Sequence, residues 1–386
     1  VTGHLSDERI EQLLAPPIER PPDPAETVRR ILARRRQFGI TRLGSITELD
    51  RIGIPVAQAV RPSSLSVSVN QGKGLDASQA AISALMESLE GWASERISAD
   101  RIRWASLRTM NGNGLWSHLA DGPVSDEEIS WIEGWDLLTS SAVSVPLALV
   151  DTAYTIPSPH PGWLPRNTTG LAASTGLHRA IEHACYEALE RHVHREALGM
   201  PHFFDRFKVD SRSVLSGSAG EIMRRLSSAG CSIGIWSFSS EHGPPFYWCH
   251  VMESEAHPPL APWPAEGFGC DRTHDRALSK ALLEACQSRL GIISAGREDM
   301  GGQLYEYQDH KQLREWRRQL TASGAAYLGD NEPAEAASRW PLEALRRAGA
   351  AAVIVVELFS DEAIPLHVVR VVTPPLKTAP GPGHGI

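Results

Sequence analysis

Ser83, Glu87 and Glu90 stand four and three residues apart in the stretch AISALMESLE. On a helix this spacing puts all three side chains on one face. Two carboxylates one turn apart repel each other, so the pair is either a solvated helix face or, placed near a core by Ala80, Ala81, Ala84, Leu85 and Leu89, a group that needs a cation. Carboxylate oxygens without His or Cys partners favour Mg2+ over zinc. The stretch IEHACYEALERHVHREAL repeats the pattern with His183, Glu187 and Glu190. If the two helices face each other, four carboxylates converge, a cluster that folds stably only around metal ions and suits the holding of nucleotide phosphates through them. His183, His192 and His194 make a poor zinc set, because 192 and 194 point to different helix faces and no HExxH is present.

A third stretch, ALLEACQSRLGIISAGRED, carries Glu284, Gln287, Arg289, Arg297 and Asp299. Its arginines would either grip a triphosphate bidentately or pair with carboxylates of the same chain. Lys73 lies between two glycines in NQGKGLDAS, where the backbone can approach an anion closely. The GxxxxGK[ST] spacing of a phosphate-binding P-loop is missing, and no residue stands out as a general base.

These groups need helices to carry them, and the periodicity predicts three, over 78–97, 177–197 and 275–293. Strand-like runs cover 64–70, 231–238, 246–253, 351–359 and 365–372. The mixture argues for an α+β (mixed α/β) fold. A short helix is expected over 5–14, followed by a proline-rich break, APPIERPPDP, and a second helix from about residue 25 that ends before Phe38. Residues 1–38 therefore read as an N-terminal helical appendage, 39–376 as the main body and 377–386 as a Pro/Gly-rich C-terminal tail.

With 386 residues, 42% of them hydrophobic, the chain can bury a substantial core. Its net charge of −8 gives no basic footprint for nucleic acid, and the local cluster Arg29, Arg30, Arg34, Arg35 and Arg36 reads as a solvated helix face. No apolar run is long enough to cross a bilayer, and the first residues lack the layout of a signal peptide, so a cytoplasmic location is expected. The five cysteines form no CxxC pair and read mainly as small core residues.

Taken in order, QGKGLDASQAAISALMESLE, TTGLAASTGLHRAIEHACYEALERH, EGFGCDRTHDRALSKALLEACQSRL with GRED, and PLHVVRVVTPPL resemble the YcaO family. The resemblance spans residues 39–376 and implies a YcaO-type fold, with sheets packed against helices that carry an acidic ATP and Mg2+ pocket. It assigns Glu87, Glu90, Glu187 and Glu190 to the metal, and Lys73, Ser83, His183, Gln287, Arg289 and Arg297 to the nucleotide. It implies an enzyme of ribosomal peptide maturation. A nucleophile adds to a backbone amide of a precursor peptide, and ATP phosphorylates the amide oxygen so that it can leave, giving an azoline, an amidine or a thioamide. The alternative is a non-catalytic homologue that binds a peptide or activates a partner. The opening FGITRLGSITELDRIGIPVAQAVRP is similar to that of stand-alone members, which implies a separate leader-binding or TfuA-type partner protein; homodimers occur in the family. The chain departs from the family pattern SNGLAxGNxxxE, with Thr168 and Thr169 before Gly170 and Arg179 at the glutamate position. Glu182, one turn further on, is the candidate substitute carboxylate. Gly91 replaces the usual arginine after Glu90, whereas Arg191 follows Glu190.

Overall fold

The computed structural model describes residues 22–110, 114–120, 122–238, 243–254, 260–261, 263–299, 302–305, 309–329, 341–361 and 363–377. The helix expected over 5–14 and the tail from 378 onward lie outside them. Among the described residues the chain forms eight α-helices and three antiparallel sheets, an α+β architecture.

The first sheet is β1 (Arg42–Ser45), β2 (Val56–Val60) and β3 (Val69–Lys73) in that order. The second runs β4 (Arg103–Ala105), β5 (Ile129–Asp136), β12 (Ile354–Asp361), β13 (Leu366–Val372) and β7 (Leu171–Ser174), with β6 (Ser141–Pro146) also paired to β5. The third runs β11 (Ala265–Cys270), β10 (Phe246–Glu253), β9 (Cys231–Phe238) and β8 (Lys208–Val209).

Each sheet carries a long helix. The helix α1 (Pro24–Ala33) packs on α2 (Ala77–Ser94), which lies over β2 and β3 and touches β7. Next, α3 (Leu177–Leu198) covers β13 and β7 and reaches β11. After the short α4 (Phe203–Arg206) and α5 (Gly217–Ser228) comes α6 (His274–Ser294), which lies along β11 and β10 and touches β3. The peripheral α7 (His310–Leu320) and α8 (Leu342–Arg347) complete the set.

Local chemistry explains where the long helices begin. Asp76 accepts the Gln79 N–H and Thr273 the Arg276 N–H, each satisfying a donor of the first turn that has no partner within the helix. Their close seating on strands depends on glycine. A Cβ at Gly72 would lie 1.9 Å from the Ala84 nitrogen of α2, and one at Gly267 would lie 2.1 Å from the Ala281 oxygen of α6. Residues 69–73 therefore meet α2 backbone to backbone.

The expected strand over 64–70 is confined to its end, because β3 begins at Val69. The Glu95 carboxylate accounts for the difference. It accepts bonds from the Ser64 and Ser66 hydroxyls and the Ser66 N–H, and its two oxygens take Arg61 donors at 2.6 and 2.9 Å. Burial opposes the charge on Glu95, but Arg61 and the two serines hold its pKa down to about 2. The segment bends around this anion instead of extending the ladder.

The apolar faces meet as designed by their periodicity. Leu85 and Leu89 of α2 share a core with Ile31, Phe38 and Val368, and Ala277, Leu278, Ala281 and Leu282 of α6 share another with Ile235 and Val251. Within the basic cluster, Arg29 and Arg30 pair with Glu26, and Arg34 reaches Asp361 at 2.6 Å. Four of the five cysteines are buried, and all are free thiols.

Candidate active site

The three long helices converge, one from each sheet, and bring their glutamates together. Glu87 and Glu90 from α2, Glu187 and Glu190 from α3, and Glu284 from α6 lie within electrostatic reach of one another. Strand backbone fixes several of them from below. The Ala173 N–H donates to Glu90 at 2.8 Å, the Gly170 N–H to Glu187 at 3.2 Å and the Cys270 N–H to Glu190 at 3.1 Å. Such anchoring orients a carboxylate without neutralising it.

Cations stand at the rim. Lys73, at the end of β3, donates to Glu284 at 3.0 Å. Arg191 lies 3.8 Å from both Glu187 and Glu190. Arg297 follows the left-handed Ala295 that ends α6; it clasps Asp299 at 2.6 and 2.9 Å and is felt by Glu87. Glu298 of the same turn accepts the Ser68 N–H.

The balance of charge is visible in proton affinity. Burial raises the pKa of Glu87 against the pull of Arg297 and Lys73. Burial and then Glu87 push Glu90 well above the usual carboxylate range. Burial lifts Glu190 to about 7, with Glu284 and Glu187 adding to the rise and Arg191 opposing it. Glu284 goes the other way: burial works against ionisation, but Lys73 and Arg191 hold its pKa below the ordinary value. A cation in the cleft would favour the ionised form of each of these carboxylates and oppose the rise.

This arrangement fits a divalent ion that brings part of its own coordination. Among the described residues no three His, Cys, Asp or Glu side chains close around a common point as a metal cage. A Mg2+ ion typically takes one or two carboxylates and completes its shell with water and phosphate oxygens, and spaced, oxygen-only donors with flanking cations suit that habit.

The remaining sequence-derived candidates divide. Ser83 is half-buried on the stripe of Glu87 and Glu90, and His183 is exposed one turn before Glu187. Gln287 faces β3, with its Nε2 donating to the Gln71 carbonyl at 3.1 Å. Arg289 is a correction. Its guanidinium is 2% exposed and bound to Asp50 at 3.1 Å and Glu253 at 2.6 Å, on the side of α6 away from the cleft. Two residues beyond Gln287 on a helix is the opposite face, and two buried carboxylates claim the charge there. Glu182 is likewise taken, by Arg272, and does not join the glutamate cluster. The sequence reading missed Arg370 of β13, which is 4% exposed and within electrostatic reach of Glu187. It sits in the apolar run PLHVVRVV, where no spacing links it to an acidic partner.

Three helices that bring glutamates together beside cations form a donor set that suits a divalent ion. A sequence model described as YcaO cyclodehydratase, ATP- and Mg2+-binding, matches residues 71–377, and the chain belongs to the YcaO family. An uncharacterized protein of Mycobacterium tuberculosis is 33% identical over 275 residues, which are 69% of this chain and 60% of that protein, so the chain spans less than two thirds of this relative's length. An uncharacterized protein in the tfuA 3′ region of Rhizobium leguminosarum bv. trifolii is 29% identical over 371 residues, 92% of this chain and 87% of the relative. In fold, the chain resembles YcaO from Methanopyrus kandleri bound with AMPPCP and Mg2+, with a TM-score of 0.64, 24% identity and coverage of 91% and 90% of the two chains. It also resembles a heterocyclase in complex with substrate and cofactor, with a TM-score of 0.69, 17% identity and coverage of 95% of this chain and 55% of the other. Among the described residues no helix is long and apolar enough to cross a membrane.

Proposed function

We propose that the chain is an ATP-dependent enzyme that activates a backbone amide of a ribosomally made precursor peptide, yielding an azoline, an amidine or a thioamide. The observation that carries this reading is the convergence of Glu87, Glu90, Glu187 and Glu190 on one cleft rimmed by Lys73, Arg191 and Arg297. In this proposal the four glutamates hold Mg2+, and Lys73, Ser83, His183, Gln287 and Arg297 face the nucleotide. The metal would neutralise phosphate charge as it shifts during transfer. The chain's own cations would orient the triphosphate, and the strand N–H groups would keep each carboxylate aimed into the cleft.

The chemistry requires such a site because an amide oxygen is a poor leaving group. A thiol, hydroxyl, amine or sulfide adds to the carbonyl carbon, the π pair moves to oxygen, and the nucleophile's proton passes to solvent. The oxygen then takes the γ-phosphoryl group from ATP, which leaves as ADP. The C–O bond breaks with loss of phosphate as a C=N bond forms and the nitrogen gives up its proton or, for a thioamide, as a C=S bond forms and the sulfur gives up its proton. Residues 39–376 form the catalytic body in this reading. A separate partner protein presents the peptide, an idea supported by the tfuA neighbourhood of the Rhizobium relative.

Arg179 and the engagement of Glu182 by Arg272 favour a second reading, a homologue that binds peptide or partner without turnover. Calorimetry of Mg2+-dependent ATP-analogue binding separates the two. Catalysis predicts binding in the wild type that falls at least tenfold in Glu87→Gln. Binding that persists unchanged in the variant would remove the glutamates from the site, and no binding in the wild type would favour the scaffold. Mass spectrometry of treated peptide then distinguishes loss of water from exchange of oxygen for sulfur.

A further inference from the structure

Two cavities lie between the C-terminal half of α3 and the end of β13. An open basin of about 690 Å3 is lined by His118, His192, Arg195, Met200, Leu376 and Lys377. A narrower cavity of about 80 Å3 shares Arg195, Leu376 and Lys377 with it and continues inward past Asn167, Thr169 and Thr373 to Arg370. Beyond Arg370 lies the cluster itself, because Gly170, next to Thr169, donates to Glu187, and Arg370 and Glu187 act on each other electrostatically. Glu187, Arg191 and Arg195 fall on one stripe of α3, which runs from the cleft to the basin.

Arg370 is unusual for a buried cation. One terminal nitrogen, Nη2, donates to the Asn167 carbonyl at 2.9 Å and to its side-chain oxygen at 3.3 Å. Its Nε and Nη1 have no hydrogen-bond partner among the described residues. Leaving guanidinium donors unmet in a protein interior is costly, and buried charges are ordinarily paired and fully hydrogen-bonded. Arg370 lines the smaller cavity, which is large enough for a small planar oxygen acceptor, and its unpaired donors sit beside a proposed metal ligand.

We infer that Arg370, with Asn167 and Thr169, forms an oxygen-acceptor subsite that receives the peptide amide oxygen through the basin and stabilises the negative charge that develops on it. This rests on the function proposed above, and it adds a catalytic residue and an entry path. Peptide enters from the Leu376 side, while nucleotide occupies the side of Lys73 and Arg297. As the nucleophile adds to the carbonyl carbon and the π pair moves to oxygen, an unpaired N–H of Arg370 bonds that oxygen, which is an acceptor before and after the step. Donors already aimed at the place where charge appears lower the barrier without reorganisation.

The test uses the full chain with saturating Mg2+ and a non-hydrolysable ATP analogue, and two probes: N-methylacetamide for the amide and acetate for the oxyanion. Heteronuclear NMR follows the Arg370 Nε–H resonance, assigned by its absence in Arg370→Met, and the Thr169 backbone N–H in the same cavity. The expected result is saturable movement of both signals in the wild type, tighter with acetate, and loss of the Thr169 response in Arg370→Met, with analogue affinity changed less than threefold. Signals that do not saturate, or a Thr169 response that survives in Arg370→Met, would overturn the subsite. A thermal melt of Arg370→Met supplies the check on folding: a wild-type melting temperature validates the comparison, and a large fall assigns Arg370 a structural role and overturns the inference. Should the wild type fail to bind the analogue, the proposed function fails, while the acetate titration still reads the cavity.

Discussion

Replacing Glu190 by Gln should make the ligand-free protein more stable while removing its hold on Mg2+. Glu190 is nearly buried, with its side chain 10% exposed, and burial lifts its pKa from 4.5 to about 7. Its folded form therefore keeps a proton that the unfolded chain has already lost. By linkage, the native state binds more protons between pH 4.5 and 7, so stability falls as pH rises through that window and stays reduced above it. A tenfold change in protonation is worth about 1.4 kcal/mol, so the full rise corresponds to about 3 kcal/mol. Glutamine keeps an oxygen for the Cys270 N–H but carries no charge, and should recover on the order of 2–3 kcal/mol at pH 8. Thermal unfolding of wild type and Glu190→Gln at pH 8 and pH 5, without metal or nucleotide, measures this directly. The variant should melt several degrees higher at pH 8 and gain far less at pH 5, where the wild-type carboxyl is protonated. An equal gain at both pH values, or a loss at pH 8, would refute the view of the cleft as an assembly of strained carboxylates awaiting a cation.

Two further outcomes follow from the packing. Gly72→Ala would drive a Cβ into the Ala84 nitrogen and should cost on the order of 3 kcal/mol, read by denaturant unfolding; a change below 0.5 kcal/mol would show that β3 and α2 are not held in backbone contact. Arg289→Lys should lose about 1–3 kcal/mol of stability, because an ammonium cannot serve Asp50 and Glu253 together, yet keep ATP-analogue affinity within twofold; a tenfold loss of affinity in a folded variant would return Arg289 to the nucleotide.

The helices that matter were legible in the sequence because each presents a long apolar stripe and an opposing acidic one, and the observed α2, α3 and α6 begin within a residue of the expected starts. The strands β9, β10, β12 and β13 were legible from their β-branched and aromatic runs. Others escaped for identifiable reasons. The strand β5, ISWIEGWD, is buried on both faces for most of its length and shows no period of two, while β1 and β8 are too short to carry a pattern. In α7, HKQLREWRRQL, only Leu313 and Leu320 are buried, so charge hides the helix. At the site, the glutamate spacing announced itself, since i, i+3 and i+4 arithmetic needs no tertiary information. Which way Arg289 faces, and that Arg370 approaches Glu187, depends on how α6 and β13 are docked, and no local spacing encodes that.

The three acidic helices lie mainly on different sheets, and each buries its apolar face in a different hydrophobic cluster. The cleft is therefore a junction: no single layer contains enough of it to bind anything. Loosening any one sheet removes its share of carboxylates and dissolves the site, however intact the other two remain. A ligand that bridges the glutamates would in turn clamp all three layers, so its affinity reports on the integrity of the whole chain, and slow hydrogen exchange in the strands far from the cleft would be the distant trace of its arrival.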